Sequence, residues 1–184
     1  TDFSAVATPA LVIDLAQVDR NCARVAAYAA DNGLTWRPHV KTHKSAQVAA
    51  RQLAAGAVGL SCATPREAEV MATVCSDLLL AYPPVGTERL RRTVAVAAQV
   101  RLTVMLDSLE SATALSEALA APGASARVRI EVDAGMRRTG VVGVEPAVEL
   151  ARAVAAFPGL TFAGFGFYPG QLRSAGPEVD AELV

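Results

Sequence analysis

The segment from Arg37 to Lys44 reads RPHVKTHK and concentrates basic side chains within eight residues. If this segment is a strand, Arg37, His39 and Lys41 share one face, because strand side chains alternate. Buried cations must be paired or bound, so an anionic ligand at the strand end would suit them. Burial beside other cations also lowers the pKa of a lysine towards the neutral amine that forms imines with aldehydes. Lys41 is therefore a candidate imine-forming lysine, with a solvated basic loop as the alternative.

Two further segments place single functional groups at predicted strand ends. In the stretch from Glu131 to Val141, which reads EVDAGMRRTGV, Gly135 and Gly140 allow turns that bring Arg138 back over the site. A guanidinium there can hold an anionic oxygen. Tyr168 follows the last predicted strand, where its ring can pack on a ligand. A solvated arginine loop and a tyrosine that merely caps the core are the alternatives.

The chain alternates apolar runs with Ala-rich helical stretches, which is the pattern of βαβ units. An opening apolar run, Ala10 to Leu15, precedes a helix that continues to about Ala30, and another helix spans about Ser45 to Ala55. Six later strands are predicted, at Leu34–Val40, Gly59–Ala63, Asp77–Tyr82, Leu102–Asp107, Arg127–Asp133 and Thr161–Tyr168. Parallel strands joined by helices form either a barrel or a doubly wound open sheet.

Polar residues at the strand ends favour the barrel. They fall at or just past the carboxyl ends of successive strands, at Lys41, Thr64, Tyr82, Asp107, Asp133 and Tyr168. A barrel enzyme places its chemistry at the carboxyl ends of several strands, whereas an open sheet uses mainly one switch point. The expected fold class is therefore α/β, as a (β/α) TIM-type barrel.

Several segments resemble the D-threonine aldolase and D-serine dehydratase family. They occur in the family's order, at 8–14, 37–44, 59–69, 106–108, 131–141 and 165–171. This family has fold type III and shares its barrel with alanine racemase. The resemblance implies that Lys41 binds pyridoxal 5'-phosphate as a Schiff base and that Lys44 stays outside that bond. It also implies that His39, Arg138 and Tyr168 lie near the cofactor.

The implied function is a pyridoxal-phosphate lyase that acts on small 3-hydroxy D-amino acids by retro-aldol cleavage or dehydration, with Lys41 as the Cα base in a dehydratase. The alternatives are a non-catalytic single-barrel carrier of the cofactor and a racemase of the same fold. Alanine racemase has a lysine where Glu131 falls, which counts against a true alanine racemase.

Residues 1–184 correspond to the N-terminal part of the barrel domain, with about six βα units. After Gln171 the sequence shows neither a phosphate-binding loop nor the metal-binding HxC pair of a C-terminal β domain. The resemblance implies that this second domain carries a divalent metal and that the complete protein is a homodimer. A fragment ending here is expected to be inactive alone.

Composition excludes several other classes of protein. The net charge of −1 argues against nucleic acid or an anionic membrane as the partner, and no apolar run is long enough to span a bilayer. Cys22, Cys62 and Cys75 are an odd number at wide spacing, so neither a disulfide framework nor a zinc site is expected. These features indicate a cytoplasmic protein.

Overall fold

The computed structural model describes residues 4–120 and 124–172 and shows alternating helices and strands. The helices are α1 (Leu15–Asp31), α2 (Ala46–Ala54), α3 (Pro65–Met71), α4 (Thr87–Ala97), α5 (Leu109–Leu119) and α6 (Val144–Ala156). The strands are β1 (Leu60–Cys62), β2 (Asp77–Leu80), β3 (Arg101–Leu106), β4 (Ala126–Val132) and β5 (Leu160–Phe167). The α/β class is thus confirmed.

The five strands form one parallel sheet in the order β1-β2-β3-β4-β5. A doubly wound sheet would reverse its strand order at a switch point, whereas the wall of a barrel follows the chain in one direction. The observed order is that of a barrel wall. The ring of strands is not closed among residues 4–120 and 124–172.

One face of the sheet packs against the helices. On β4, Val128 and Ile130 are fully buried towards the helices, while the alternating Arg127 and Arg129 are exposed on the opposite face. Side chains of the helix layer complete the core, among them Met71, Val96, Leu115 and Val154. The sheet therefore packs against the helices with one face, and its other face is available for a functional site.

Polar side chains begin several of the helices. Asp14 Oδ1 accepts a hydrogen bond from the Gln17 amide at 3.0 Å, and Ser45 Oγ accepts one from the Val48 amide at 3.3 Å. Such caps satisfy amides that lack partners in the first helical turn. They confirm the predicted starts of the first two helices, close to Asp14 and Ser45.

Neither the opening apolar run nor the strand predicted at Leu34–Val40 forms a regular strand. The run from Ala10 to Ile13 is irregular, and Leu11 is 92% exposed, because no strand in the described part of the chain pairs with this run. The segment from Leu34 to His39 is extended beside β1, but it forms a single parallel bridge, between His39 and Ser61. The chain then turns at Val40, so a regular strand does not develop.

No helix among the described residues is both long and apolar enough to cross a bilayer. The three cysteines are buried and unpaired.

Candidate active site

Lys41 lies in a short 3₁₀ turn, Val40–Thr42, that follows the extended segment beside β1. The Lys41 amide donates a hydrogen bond to Nδ1 of His39 at 3.3 Å, so the histidine ring begins the turn that presents the lysine. Val40, between them, is fully buried and anchors the turn in the core. Lys41 is therefore carried by a turn at the end of an extended segment, not by a strand.

A cavity of about 230 Å³ opens at this edge of the sheet and brings together all four residues predicted for the site. Its lining includes His39, Lys41, Arg138 and Tyr168. Lys41 Nζ lies 5.9 Å from the centre of the Tyr168 ring. Residues separated by more than a hundred positions in the sequence thus face one space.

The loop after β4, residues 133–141, carries Arg138 to the cavity. Asp133 Oδ1 accepts hydrogen bonds from the amides of Gly135 at 2.9 Å and Arg137 at 3.0 Å. Gly140 has a φ of +110°, and a Cβ there would lie 2.5 Å from the Asp133 amide nitrogen. Only glycine fits such a position, because the backbone is left-handed and the loop doubles back on itself. The turn predicted around Gly135 and Gly140 is present.

Two aromatic rings surround the Arg138 guanidinium. Its central carbon lies 4.8 Å from the ring centre of Tyr168 and 5.1 Å from that of Tyr82. Both distances are within the range of cation–π attraction. Tyr82 lines the cavity as well, and the sequence signal for it was its place at the end of β2.

The electrostatic surroundings favour a neutral His39. Burial lowers the pKa of His39, and the nearby charges of Lys41 and Arg138 lower it further, against the opposing effect of Glu67. Because Nδ1 accepts the Lys41 amide proton, the neutral ring carries its own proton on Nε2. His39 is thus suited to orient Lys41 without adding another positive charge.

Lys44 belongs to a different environment from Lys41. It has a φ of +50°, and its Nζ lies 3.5 Å from Oε1 of Glu67. The other carboxylate oxygen of Glu67 accepts the Ala63 amide at 2.8 Å. Lys44 lines a separate cavity with Thr64 and Glu67, so it is absent from the lining around Lys41.

Three of the predicted strand-end residues bond the backbone instead of lining the Lys41 cavity. Thr64 accepts the Glu67 amide at 3.2 Å and caps α3, while Asp107 accepts the Gly140 amide at 3.1 Å. Asp133 holds its own loop, as described above. A polar residue at a predicted strand end therefore indicates the correct edge of the sheet, but only the structure shows which groups its side chain contacts.

The predicted pairing of Arg37 with an anionic ligand is wrong. Nη2 of Arg37 lies 3.0 Å from Oδ1 of Asp77, at the amino end of β2, and Arg101 also pairs with Asp77. Asp77, which neutralises Arg37, belongs to β2, the second strand after the segment that carries Arg37. A pattern within one segment could not reveal this partner.

Glu131 is a functional candidate that the sequence prediction left unassigned. It lies on the open face of β4, is 4% exposed and lines the Lys41 cavity. Its Oε1 accepts a hydrogen bond from Thr139 Oγ1 at 2.9 Å and lies 3.9 Å from Nη2 of Arg138. Its Oε2 is buried and has no hydrogen-bond partner among the described residues.

Comparisons with known proteins give one family match and several relatives. Residues 13–183 match the family model described as "Alanine racemase, N-terminal domain". A 3-hydroxy-D-aspartate aldolase of Paracoccus denitrificans is 36% identical over 177 residues, which are 94% of this chain and 45% of that protein.

Two solved structures are similar in both sequence and fold. The D-threonine aldolase of Filomicrobium marinum superposes with a TM-score of 0.83 at 40% identity, over 87% of this chain and 44% of that one. The D-threo-3-hydroxyaspartate dehydratase of Delftia sp. HT23 superposes with a TM-score of 0.76 at 34% identity, over 89% of this chain and 44% of that one. The chain spans about half the length of the relatives it matches.

Proposed function

Because this chain belongs to the alanine racemase N-terminal domain family, a fold-type III group, we propose that it is the cofactor-binding part of a pyridoxal-phosphate lyase. The proposed substrates are small 3-hydroxy D-amino acids. The observation that carries the proposal is the cavity that unites Lys41 with His39, Arg138 and Tyr168. The relatives described above, two aldolases and a dehydratase of D-configured hydroxyamino acids, support the reaction class.

The side chains around the cavity fit pyridoxal phosphate. An aldehyde requires a lysine amine, an aromatic ring can stack on the Tyr168 ring, and an anionic oxygen suits the Arg138 guanidinium. The buried Oε2 of Glu131 adds an acceptor that has no hydrogen-bond partner among the described residues. We therefore propose Lys41 as the covalent attachment point, with Arg138 and Tyr168 as contacts.

The cofactor, when bound, supplies an electron sink that withdraws electrons from the substrate Cα. Lys41 would hold it covalently, and in a dehydration its amine would be the candidate base for the Cα proton. His39 holds the backbone of Lys41 through Nδ1 and so fixes the direction of that amine. Arg138 would orient the substrate carboxylate or the cofactor's phenolic oxygen, and the rings of Tyr82 and Tyr168 flank its guanidinium.

Aldol cleavage and dehydration both remain within this proposal. The resemblance also implies a divalent metal in a second domain. Among residues 4–120 and 124–172, no group of three or more His, Cys, Asp or Glu is arranged to hold a metal ion. The residues described here do not fit that ion, and no step is assigned to it. A homodimer and a cytoplasmic location are proposed for the complete protein on the sequence alone.

Covalent attachment is the first test of the proposal. The complete protein is loaded with pyridoxal phosphate, reduced with borohydride and mapped by peptide mass spectrometry. We expect the adduct on Lys41 and its loss in Lys41→Ala, together with the visible absorption of the bound cofactor. Lys44→Ala is the matched control, since Lys44 lines another cavity. An adduct on Lys44, or visible cofactor absorption that persists in Lys41→Ala, would show that Lys41 is not the attachment point.

Substrate class is tested separately on the wild-type protein. We expect turnover of D-threonine or D-3-hydroxyaspartate in preference to the L-enantiomers. Chelation followed by metal replacement tests the implied metal. Cofactor attachment without turnover would indicate a carrier, and interconversion of enantiomers without cleavage would indicate a racemase.

A further inference from the structure

Glu131 is a buried carboxylate with an incomplete set of partners. One oxygen accepts the Thr139 hydroxyl at 2.9 Å, and the other has no hydrogen-bond partner among the described residues. Burying a carboxylate oxygen without a hydrogen-bond donor is costly, because a charged group loses hydration on burial that a donor has to replace. A carboxylate buried in this way beside the Lys41 cavity indicates a functional role for Glu131.

Arg138 is the cation that faces Glu131. Burial raises the pKa of Glu131, and the nearby acids Asp107 and Asp133 add to this effect. The hydrogen bond from Thr139 and the charge of Arg138 act in the opposite direction. The charge of Arg138 therefore favours the ionised form of Glu131, and the 3.9 Å between Glu131 Oε1 and Arg138 Nη2 places the two groups within reach of each other.

The backbone contacts of the loop do not fix the Arg138 guanidinium. Asp133 and Asp107 hold amides of Gly135, Arg137 and Gly140, and none of these bonds touches the Arg138 side chain. Among the described residues, the Arg138 guanidinium lies against the rings of Tyr82 and Tyr168 and faces the carboxylate of Glu131. Rings attract a cation but leave it free to slide and rotate, whereas a carboxylate gives it a direction.

We propose that Glu131 is a positioning residue, whose carboxylate holds the Arg138 guanidinium over the Lys41 cavity so that it faces an anionic oxygen of the ligand. Thr139 fixes the orientation of that carboxylate. The 3.9 Å separation is longer than a hydrogen bond. A movement of about 1 Å would bring it to the roughly 2.9 Å of a charge-assisted bond. The ligand's role in this inference rests on the proposed function, but the link between Glu131 and Arg138 does not.

The first experiment uses the complete protein without cofactor. Phenylglyoxal modifies accessible arginines, and peptide mass mapping follows the rate at Arg138. Glu131→Gln keeps an oxygen for the Thr139 hydroxyl and removes the charge, so we expect Arg138 to react several-fold faster. Glu67→Gln is the matched control, because Glu67 is equally buried but contacts Lys44 and the Ala63 amide. An unchanged rate in Glu131→Gln would overturn the proposal.

Thr139→Val provides a second variant if Glu131→Gln fails to fold. It removes the hydroxyl that orients the carboxylate and retains the charge, so a smaller acceleration at Arg138 is expected. A rate equal to the wild-type rate would count against the proposed role of Thr139 and Glu131 alike.

A double-mutant cycle then measures the link in the loaded protein. Glu131→Gln, Arg138→Lys and the double variant are compared by their affinity for pyridoxal phosphate and by kcat/KM. If Glu131 acts through Arg138, the two losses are strongly non-additive. Additive losses would show that Glu131 acts independently and would overturn the inference. If the wild-type protein does not attach the cofactor to Lys41, the proposed function fails, while the phenylglyoxal result still decides the role of Glu131.

Discussion

Asp77 and Glu131 are both buried carboxylates of the parallel sheet, but they lie at opposite ends of its strands. Asp77 begins β2 and pairs with Arg37 and Arg101. Glu131 lies one residue before the end of β4, with the Thr139 hydroxyl as its hydrogen-bond donor and Arg138 at 3.9 Å. The acid at the amino end of the sheet therefore has two close cations and the acid at the carboxyl end has one more distant cation, although each has one oxygen without a hydrogen-bond partner among the described residues.

The pKa values of the two acids shift in opposite directions. For Asp77, burial would raise the pKa, but the hydrogen bonds and charges of Arg37 and Arg101 outweigh it and lower the pKa. For Glu131, burial dominates and raises the pKa. In barrel enzymes the carboxyl end of the strands carries chemistry and the amino end supports stability. The contrast between these two carboxylates follows the same division.

The largest expected effect on stability is that of Asp77→Asn. The substitution leaves Arg37 and Arg101 without their counter-charge, which should cost about 1–3 kcal/mol in the free energy of unfolding. Urea unfolding of the complete protein measures this loss, and the cofactor spectrum and kcat/KM of the folded variant should stay at wild-type values. If Asp77→Asn were as stable as the wild type but bound the cofactor less tightly, the assignment of stability to the amino end of the strands and of chemistry to the carboxyl end would be wrong.

The next effect is that of Arg138→Lys on activity. Lysine keeps the charge but loses the planar fork of donors, so the change is not conservative at a site that binds an anionic oxygen. We expect kcat/KM to fall about tenfold or more, which is about 1.4 kcal/mol in transition-state stabilisation. Thermal stability should change little. Wild-type kcat/KM together with an unaltered cofactor spectrum would remove Arg138 from the site.

The smallest effect is a difference in pH dependence. Because the pKa of Asp77 is lowered on folding, its contribution to stability is present above its unfolded value near 3.8 and is lost as the pH falls through the folded value. Because the pKa of Glu131 is raised, its contribution is complete below its unfolded value of 4.5 and is lost as the pH rises through the folded value.

Unfolding free energies measured as a function of pH test this contrast. Relative to wild type, Asp77→Asn should lose stability as the pH rises towards about 3.8, because the folded protein releases the Asp77 proton at lower pH than the unfolded chain does, and the difference should stay constant above that value. Glu131→Gln should gain relative stability as the pH rises above the unfolded value of Glu131. If the unfolding free energies of the two variants, each relative to wild type, changed with pH in the same direction, the pairing described for the two carboxylates would be wrong.

Much of the fold was predictable from the sequence. Strands β1 to β5 and the starts of α1 and α2 agree with the predicted ranges to within about two residues, because apolar periodicity and side-chain caps act locally. The opening run at Ala10–Leu15 is not a strand, and the segment predicted as a strand at Leu34–Val40 is extended beside β1 but forms only one bridge. An apolar run becomes a regular strand only where a neighbour pairs with it along its length, and no local pattern reveals how far that pairing extends.

The candidate site was predictable in part. His39, Lys41, Arg138 and Tyr168 line one cavity, as expected from the resemblance and from their places near strand ends. The contacts of Glu131 were not predictable, because its partners Thr139 and Arg138 reach it only when the loop folds back. The partner of Arg37 was missed for the same reason, since Asp77 lies forty residues away in the chain.

The strand order β1-β2-β3-β4-β5 has a consequence for how the protein is made. Each strand pairs with the strand before it in the sequence, so a nascent chain leaving the ribosome never has to wait for a distant segment in order to extend the sheet. Domains fold largely in the order of synthesis, and closely spaced contacts form fastest. We expect the wall to grow by one βα unit at a time. Force-sensitive arrest peptides placed after successive strands should report stepwise pulling, and a single late event would contradict this order of assembly.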